Sequence, residues 1–347
     1  MTYLAPSRNF QYNRLMKKKI KIDFIDFWPD LDKEDNYFIN ILRRHYDVEI
    51  SPDPDFLFCS FFDNKHLKYK NCVKILFMGE NLVPDFNLYD YAMGFQFMEF
   101  GDRYLRLPLY ALFTQHHDAF FKKHTFDDEY YLGKKGFCNC VISNPFAGTE
   151  RDRMCDILSR YKKVDFGGRY RNNIGGPVKD KIAFEKGYRF TMAFENSSSP
   201  GYATEKILEA FAGDTIPIYW GDPGIASQFD PGSFVNCHDF PTLEAAADRV
   251  REINEDDDFF LKMIKTPATN GDLLANDYLR PDYADGFLRS IFDREPSDAM
   301  RRNMVYVGAD YQKKASLSAF VQNTADLWRR PVHTIRKELA NKTSQNK

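Results

Sequence analysis

Apolar and polar positions change period along this chain, and the changes divide it into elements. Residues 17–28 (KKKIKIDFIDFW) alternate apolar and polar, which predicts a first strand. Over 37–46, Phe38, Ile39, Ile41 and Leu42 fall on one side of a helix. Short apolar runs at 48–51, 56–62 and 73–78 predict further strands. The pattern restarts at 137–143 (FCNCVIS), breaks at Asn144-Pro145, and passes into a helix over 151–161. Strands alternating with helices and short connections predict an α/β protein built on open parallel sheets.

The stretch 188–223 carries the most chemistry. Its first part, 189–195, reads as a strand, and 197–201 is a Ser, Pro and Gly loop. Thr204 is placed to cap a helix that begins at Glu205 and ends at Gly213, with Ile207, Leu208, Ala210 and Phe211 on its apolar face. A buried strand at 216–220 completes a βαβ unit. In parallel sheets, ligands sit beyond the carboxyl ends of strands, beside helix N-termini. The free N–H groups and positive dipole end there suit a phosphate. Lys206 adds a full charge in the first turn. Glu205 could accept hydrogen bonds from sugar hydroxyls. Tyr202 could stack on a ring or donate to a phosphate, and Asn196 could bond a polar ligand. From periodicity alone, an ordinary βαβ corner with a surface loop fits equally well.

A length of 347 residues implies two core-forming domains. The formal net charge of −2 gives no argument for a nucleic-acid partner. The end of the chain differs: from Pro296 onward there are ten Lys/Arg against four Asp/Glu. Leu317, Phe320, Val321, Leu327 and Trp328 fall there at helical spacing, with Arg329, Arg330, Arg336 and Lys337 beyond them. This predicts a helical basic tail packing back on the first domain; a peripheral membrane contact is the alternative. No run of about eighteen apolar residues occurs, and the first sixteen residues lack the apolar core of a signal peptide. The six cysteines show no zinc spacing, so they read as structural thiols in a reducing compartment. The segment 111–135, with His116-His117, reads as a variable surface loop rather than a metal site. Two Asp-x-Asp triplets, Asp30–Asp32 and Asp53–Asp55, read as turns, and no metal is expected.

The run AFENS, then GYATEKILEAF, then IPIYWGDP resembles the donor-binding motif of the alpha-1,3-fucosyltransferases, glycosyltransferase family ten. Upstream, Gly79-Glu80-Asn81 followed by PDFNLYDYAMGF resembles the same family, as do 102–110 and 229–240. The resemblance implies a GT-B fold, with two Rossmann-like domains facing a cleft and C-terminal helices. The expected divisions are an acceptor-side domain over 1–135, a GDP-fucose-binding domain over 136–290 and a tail over 291–347. Glu80 is the implied general base. Arg151, Asn196, Tyr202, Glu205 and Lys206 are the implied donor contacts, with Arg153 as the alternate to Arg151. A Gly-containing turn at 164–173, with Arg171 and Asn172, is expected near the donor without an assigned role. The implied reaction inverts fucose as it passes from GDP-fucose to the 3-hydroxyl of GlcNAc in Galβ1-4GlcNAc, or of glucose in lactose. No cofactor is implied, because the nucleotide sugar is itself the donor. Animal members of the family are Golgi-anchored; this chain looks like the cytoplasmic bacterial form, with a peripheral contact to the inner membrane through its tail. Two other readings stand beside this one: a metal-dependent GT-A sugar transferase using an Asp-x-Asp triplet, and a carbohydrate-binding protein without turnover.

Overall fold

The computed structural model describes residues 17–121, 126–269 and 277–324. Two parallel sheets form its frame. The first has six strands, β1 (Lys19–Ile25), β2 (Asp47–Ile50), β3 (Phe56–Cys59), β4 (Val73–Phe77), β5 (Tyr91–Gly94) and β6 (Tyr104–Arg106), in the order β2-β1-β3-β4-β5-β6. Its centre is β4, apolar except for Lys74 and buried along its whole length, as expected of a parallel strand covered on both faces. The first helix, α1 (Tyr37–His45), forms where the apolar spacing predicts it. The Asn36 carboxamide caps it by accepting from the Phe38 and Ile39 amides, and Arg43, Arg44 and His45 complement the dipole at its end.

The second sheet runs β11-β10-β9-β7-β8, with β7 (Gly136–Cys140), β8 (Val164–Phe166), β9 (Tyr188–Phe194), β10 (Ile216–Trp220) and β11 (Val235–Asn236). The predicted βαβ unit is present. Strands β9 and β10 pair in parallel from Phe190↔Ile216 to Phe194↔Trp220, joined through a helix at Glu205–Ala212. Strands β5, β6, β8 and β11 are not announced by the apolar pattern, and β8 falls where a Gly-containing turn is expected. At two to four residues each they are too short to show a period.

Three further expectations are corrected. The segment 111–135 is no plain surface loop: it carries α2 (His117–Phe121) and α3 (Asp128–Leu132), and both Phe120 and Tyr131 are buried. Next in chain order come α4 (Thr149–Tyr161), α5 (Lys181–Glu185) and α6, the Glu205–Ala212 helix. Ring contacts of Phe120 with Phe211 and Phe229, at 5.7 and 6.1 Å, stack α2 against α6. Among the described residues, the apolar positions of the tail do not pack on the first sheet. A helix spans 307–324, yet Leu317, Phe320 and Val321 are 63, 68 and 56% exposed. What returns to the first sheet is the segment before it. After α7 (Leu243–Glu255) and α8 (Asp257–Lys265), α9 (Asp285–Phe292) lays Phe292 against Phe56 and Phe58, and the buried Arg302 pairs with Asp90. The expected division at 290/291 therefore falls inside α9. Leu327, Trp328 and the basic residues beyond them lie outside the described residues. The third correction concerns the cap of α6, described below.

No helix among the described residues is long and apolar enough to cross a membrane. All six cysteines are buried free thiols.

Candidate active site

A cleft of about 460 Å³ opens at the carboxyl ends of strands from both sheets. Glu80, Arg151, Asn196, Tyr202, Glu205 and Lys206 all line it. Glu80 reaches it from the loop after β4; the other five come from the second-sheet side, on α4 and the β9–α6 corner.

The β9–α6 corner is organised by a residue the sequence reading passed over. Glu195, directly after β9, is fully buried. Its carboxylate accepts from the Thr204 amide at 2.6 Å, the Thr204 hydroxyl at 2.7 Å and the Lys206 ammonium at 2.9 Å. The Thr204 hydroxyl is thereby spent on Glu195, so Thr204 stands at the N-cap position without capping α6 through its side chain. This is the third correction, and it leaves the helix end open toward the cleft. Burial pushes the Glu195 carboxyl up, and the Lys206 charge offsets part of that. For Lys206 burial works against the charge, but Glu195 and Glu205 together raise its pKa. Burial likewise opposes ionisation of Glu205, while the Lys206 and Lys181 ammoniums hold its carboxyl below the ordinary value. The signal for Glu195 was the FEN run itself: a carboxylate ending a buried strand needs a partner, and Lys206 follows eleven residues later.

A second charged layer lies beneath. Glu205 and Glu209, one turn apart on α6, share a face with Lys181 of α5. Lys181 bonds Glu209 at 2.5 Å and stands 3.8 Å from Glu185, and it also lines the cleft. Glu185 is fully buried, and burial pushes its carboxyl up to about 7 despite Lys181.

Arg151 is the cation left open. It is 3% exposed, donates Nη2 to the Asn144 carbonyl at 2.8 Å, and has a buried Nε with no partner. No carboxylate pairs with it among the described residues. A buried guanidinium without a counter-ion is costly unless a ligand anion completes it. Arg153, the alternate, points elsewhere and bonds both oxygens of Glu244 at 2.8 and 2.9 Å on the surface.

Facing these cations, the Glu80 carboxylate accepts from the Tyr202 hydroxyl at 2.6 Å and more loosely from the Asn196 amide at 3.5 Å. Burial, with the Glu195 and Glu80 charges, keeps that hydroxyl protonated. Beside Glu80, Asn81 donates to Ser197 at 2.9 Å and accepts from Ser199 at 2.6 Å, so the two walls are tied at the site. Gly201, at φ +88°, sits where a Cβ would come within 2.3 Å of the Phe95 carbonyl oxygen. Only glycine tolerates both the dihedral and that approach. The buried Arg106 closes the seam, donating to the Phe95 and Gly201 carbonyls and to Gln228.

Other candidates are not brought to the cleft. Arg171 pairs with Asp156, and Asn172 folds its own turn through the Phe166 and Gly168 carbonyls. Neither Asp-x-Asp triplet lines it, and Asp32 accepts from the Glu34 amide as a turn residue. Among the described residues, no group of three His, Cys, Asp or Glu side chains is arranged to hold a metal.

Two parallel Rossmann-like sheets sharing one cleft are the architecture of the GT-B glycosyltransferases. Two family models cover the chain: the alpha-(1,3)-fucosyltransferase FucT N-terminal domain over residues 22–113, and the glycosyltransferase family 10 (fucosyltransferase) C-terminal domain over 132–265. The chain belongs to glycosyltransferase family 10. It is 35% identical over 287 residues to the alpha-(1,3)-fucosyltransferase FucT of Helicobacter pylori, a match spanning 71% of this chain but 59% of that protein. A crystal structure of an alpha1,3-fucosyltransferase superposes with a TM-score of 0.71 at 29% identity, covering 84% of this chain and 93% of the other. One holding GDP-fucose gives 0.69 at 28% identity, covering 87% and 96%.

Proposed function

We propose that the chain transfers L-fucose from GDP-fucose to the 3-hydroxyl of GlcNAc in Galβ1-4GlcNAc, or of glucose in lactose, with inversion at the anomeric carbon. The observation that carries this reading is the opposition of charge across the cleft. A carboxylate on the first-sheet wall faces an unpaired buried arginine, a lysine and an open helix end on the other wall. The crystal structure of a relative with GDP-fucose supports the choice of donor.

On this reading Glu80 takes the proton of the acceptor hydroxyl as that oxygen attacks fucose from the face opposite the nucleotide. The C–O bond to GDP breaks, and negative charge grows on its β-phosphate. Arg151, Lys206 and the α6 N-terminus meet that charge; the Asn144 carbonyl holds Arg151 and the buried Glu195 holds Lys206, so little reorganisation is needed during the reaction. Glu205 and Asn196 bond the sugar, and Tyr202 holds the Glu80 carboxylate in line. The leaving group is stabilised by fixed protein charge, so no metal is required for its departure. The division of labour follows the two sheets, acceptor on the first and donor on the second. The reaction belongs in the cytoplasm, with the basic tail beside the inner membrane.

The test is GDP release from GDP-fucose in EDTA, with and without N-acetyllactosamine. Acceptor-dependent release in chelator is the expected result. Release that requires a divalent ion would replace the reading with a metal-dependent transferase. Binding of GDP-fucose without release on any sugar acceptor would replace it with a carbohydrate-binding protein.

A further inference from the structure

A second recess of about 460 Å³ adjoins the first, and Trp28 lines both. It lies on the first-sheet side, and none of the second sheet's strands lines it. Its walls come from the segment after β1, from α1, from the turn after β6 that carries Leu112 and Gln115, and from Pro281 before α9. We propose that this recess binds a further sugar unit of the acceptor, so that the acceptor is an oligosaccharide running past Trp28 from the reacting ring near Glu80. The inference rests on the fucosyl-transfer reading for the direction in which the acceptor runs.

Three observations favour it. The volume is within the roughly 300–1,000 Å³ range of small-molecule sites. The lining pairs the aromatic side chains of Trp28 and Tyr37 with a rim of Asn40, Arg44 and Gln115. A pyranose is amphipathic in the same way, with a C–H face for an aromatic ring and equatorial hydroxyls for amides and guanidinium groups. Finally, the rim is not consumed by the protein's own bonding. Asn40 donates to Asp35 at 2.9 Å, but neither the Arg44 guanidinium nor the Gln115 amide makes a side-chain hydrogen bond among the described residues. Position completes the argument. The recess opens at the same strand edge as Glu80, whereas the donor's partners all approach from the second-sheet side.

Calorimetric titration of the full chain saturated with GDP tests this without turnover. The ligands are Galβ1-4GlcNAc and the tetrasaccharide Galβ1-4GlcNAcβ1-3Galβ1-4Glc. The tetrasaccharide should bind about tenfold more tightly. The double variant Arg44→Ala/Gln115→Ala should erase that advantage while leaving GDP and disaccharide affinity unchanged. Thr114→Phe, which fills the recess from its rim, should act alike, and unchanged GDP affinity certifies the fold of each variant. Equal affinity of the two glycans for the unmodified chain, binding of neither, or an advantage surviving in both variants would overturn the subsite. A length advantage that the variants abolish, in a chain that never releases GDP from GDP-fucose, would keep the subsite and sink the transferase reading alone.

Discussion

Glu80 and Glu195 end strands on opposite sides of one cleft, and they are held in opposite ways. Glu195 has no exposure and takes three donors within 2.9 Å, one of them a lysine. Glu80 lines the cavity, takes one short bond from Tyr202 and one long one from Asn196, and forms no ion pair among the described residues. A carboxylate surrounded by fixed donors is a structural counter-charge: it keeps Lys206 charged and aimed. A carboxylate held at one edge and open at the other can receive a proton. The difference teaches how a site keeps a cation and an open carboxylate apart in one small volume. Lys206 carries its own buried counter-charge, and Glu80 carries a neutral hydroxyl.

The largest effect that can break this comparison is at Glu80. Glu80→Gln keeps size and hydrogen bonding but cannot take a proton, so kcat should fall by about 10²–10⁴-fold. GDP affinity, measured by titration, should change little, because the cations proposed to hold the nucleotide lie on the other wall. Lost GDP binding with preserved kcat would assign Glu80 to the donor and end the contrast.

Glu195→Gln should act in the reverse sense. Removing one partner of a buried ion pair leaves Lys206 with only the more distant Glu205, 3.9 Å away, at a cost of up to about 3–5 kcal/mol of folding stability. The bound diphosphate would then supply the missing counter-charge, so the rise in Tm on adding GDP should be larger in the variant than in the unmodified chain. A variant destabilised equally with and without GDP would mean that Lys206 does not face the phosphates.

The second-sheet corner was more legible in sequence than the first-sheet edge. The βαβ unit over β9, α6 and β10 carries long apolar runs, a Gly stop and charged residues at a helix start, all of them local signals. The frame of Glu80 depends on β5, β6 and the Asn81–Ser197 and Ser199 bonds, which join residues more than a hundred positions apart. Short strands have no period, and a seam between domains has no sequence spacing. Glu195 was overlooked because a Glu at a strand end reads as the start of a polar loop. Only the packing shows that it is buried under Thr204. The tail misled in the other sense. Helical spacing of Leu317, Phe320 and Val321 predicts a helix correctly, but not which surface covers it.

Glu185 sharpens the contrast by pH. Its folded pKa of about 7 lies above the ordinary carboxylate value because the group is buried, with Lys181 only partly compensating. A raised acid favours the folded state while protonated. Its contribution is therefore full below about pH 4.5 and is lost as pH rises toward 7, an interval worth a few kcal/mol. Tm should fall between pH 5 and 7.5 by more in the unmodified chain than in Glu185→Gln, which stays neutral throughout. Identical pH profiles would mean that Glu185 is ionised across the range and firmly paired with Lys181.

The smallest expected effect separates two arginines two residues apart. On α4, Arg151 turns inward and Arg153 outward. The Arg153–Glu244 pair is solvent-exposed on both sides, and such pairs contribute little because water screens them and holding two long side chains costs entropy. Arg153→Ala should leave Tm, GDP affinity and kcat unchanged within error. Arg151→Ala removes a preorganised donor from the cleft and should cost about 10²–10³ in kcat. It should cost no folding stability in the absence of nucleotide, because the unpaired guanidinium is itself a burden there. Stability that holds while activity falls is the signature of a residue kept for its ligand. If instead Arg153→Ala lowered kcat and Arg151→Ala did not, the helix would present its other face to the donor, and the charge opposition across the cleft would lose its second-sheet half.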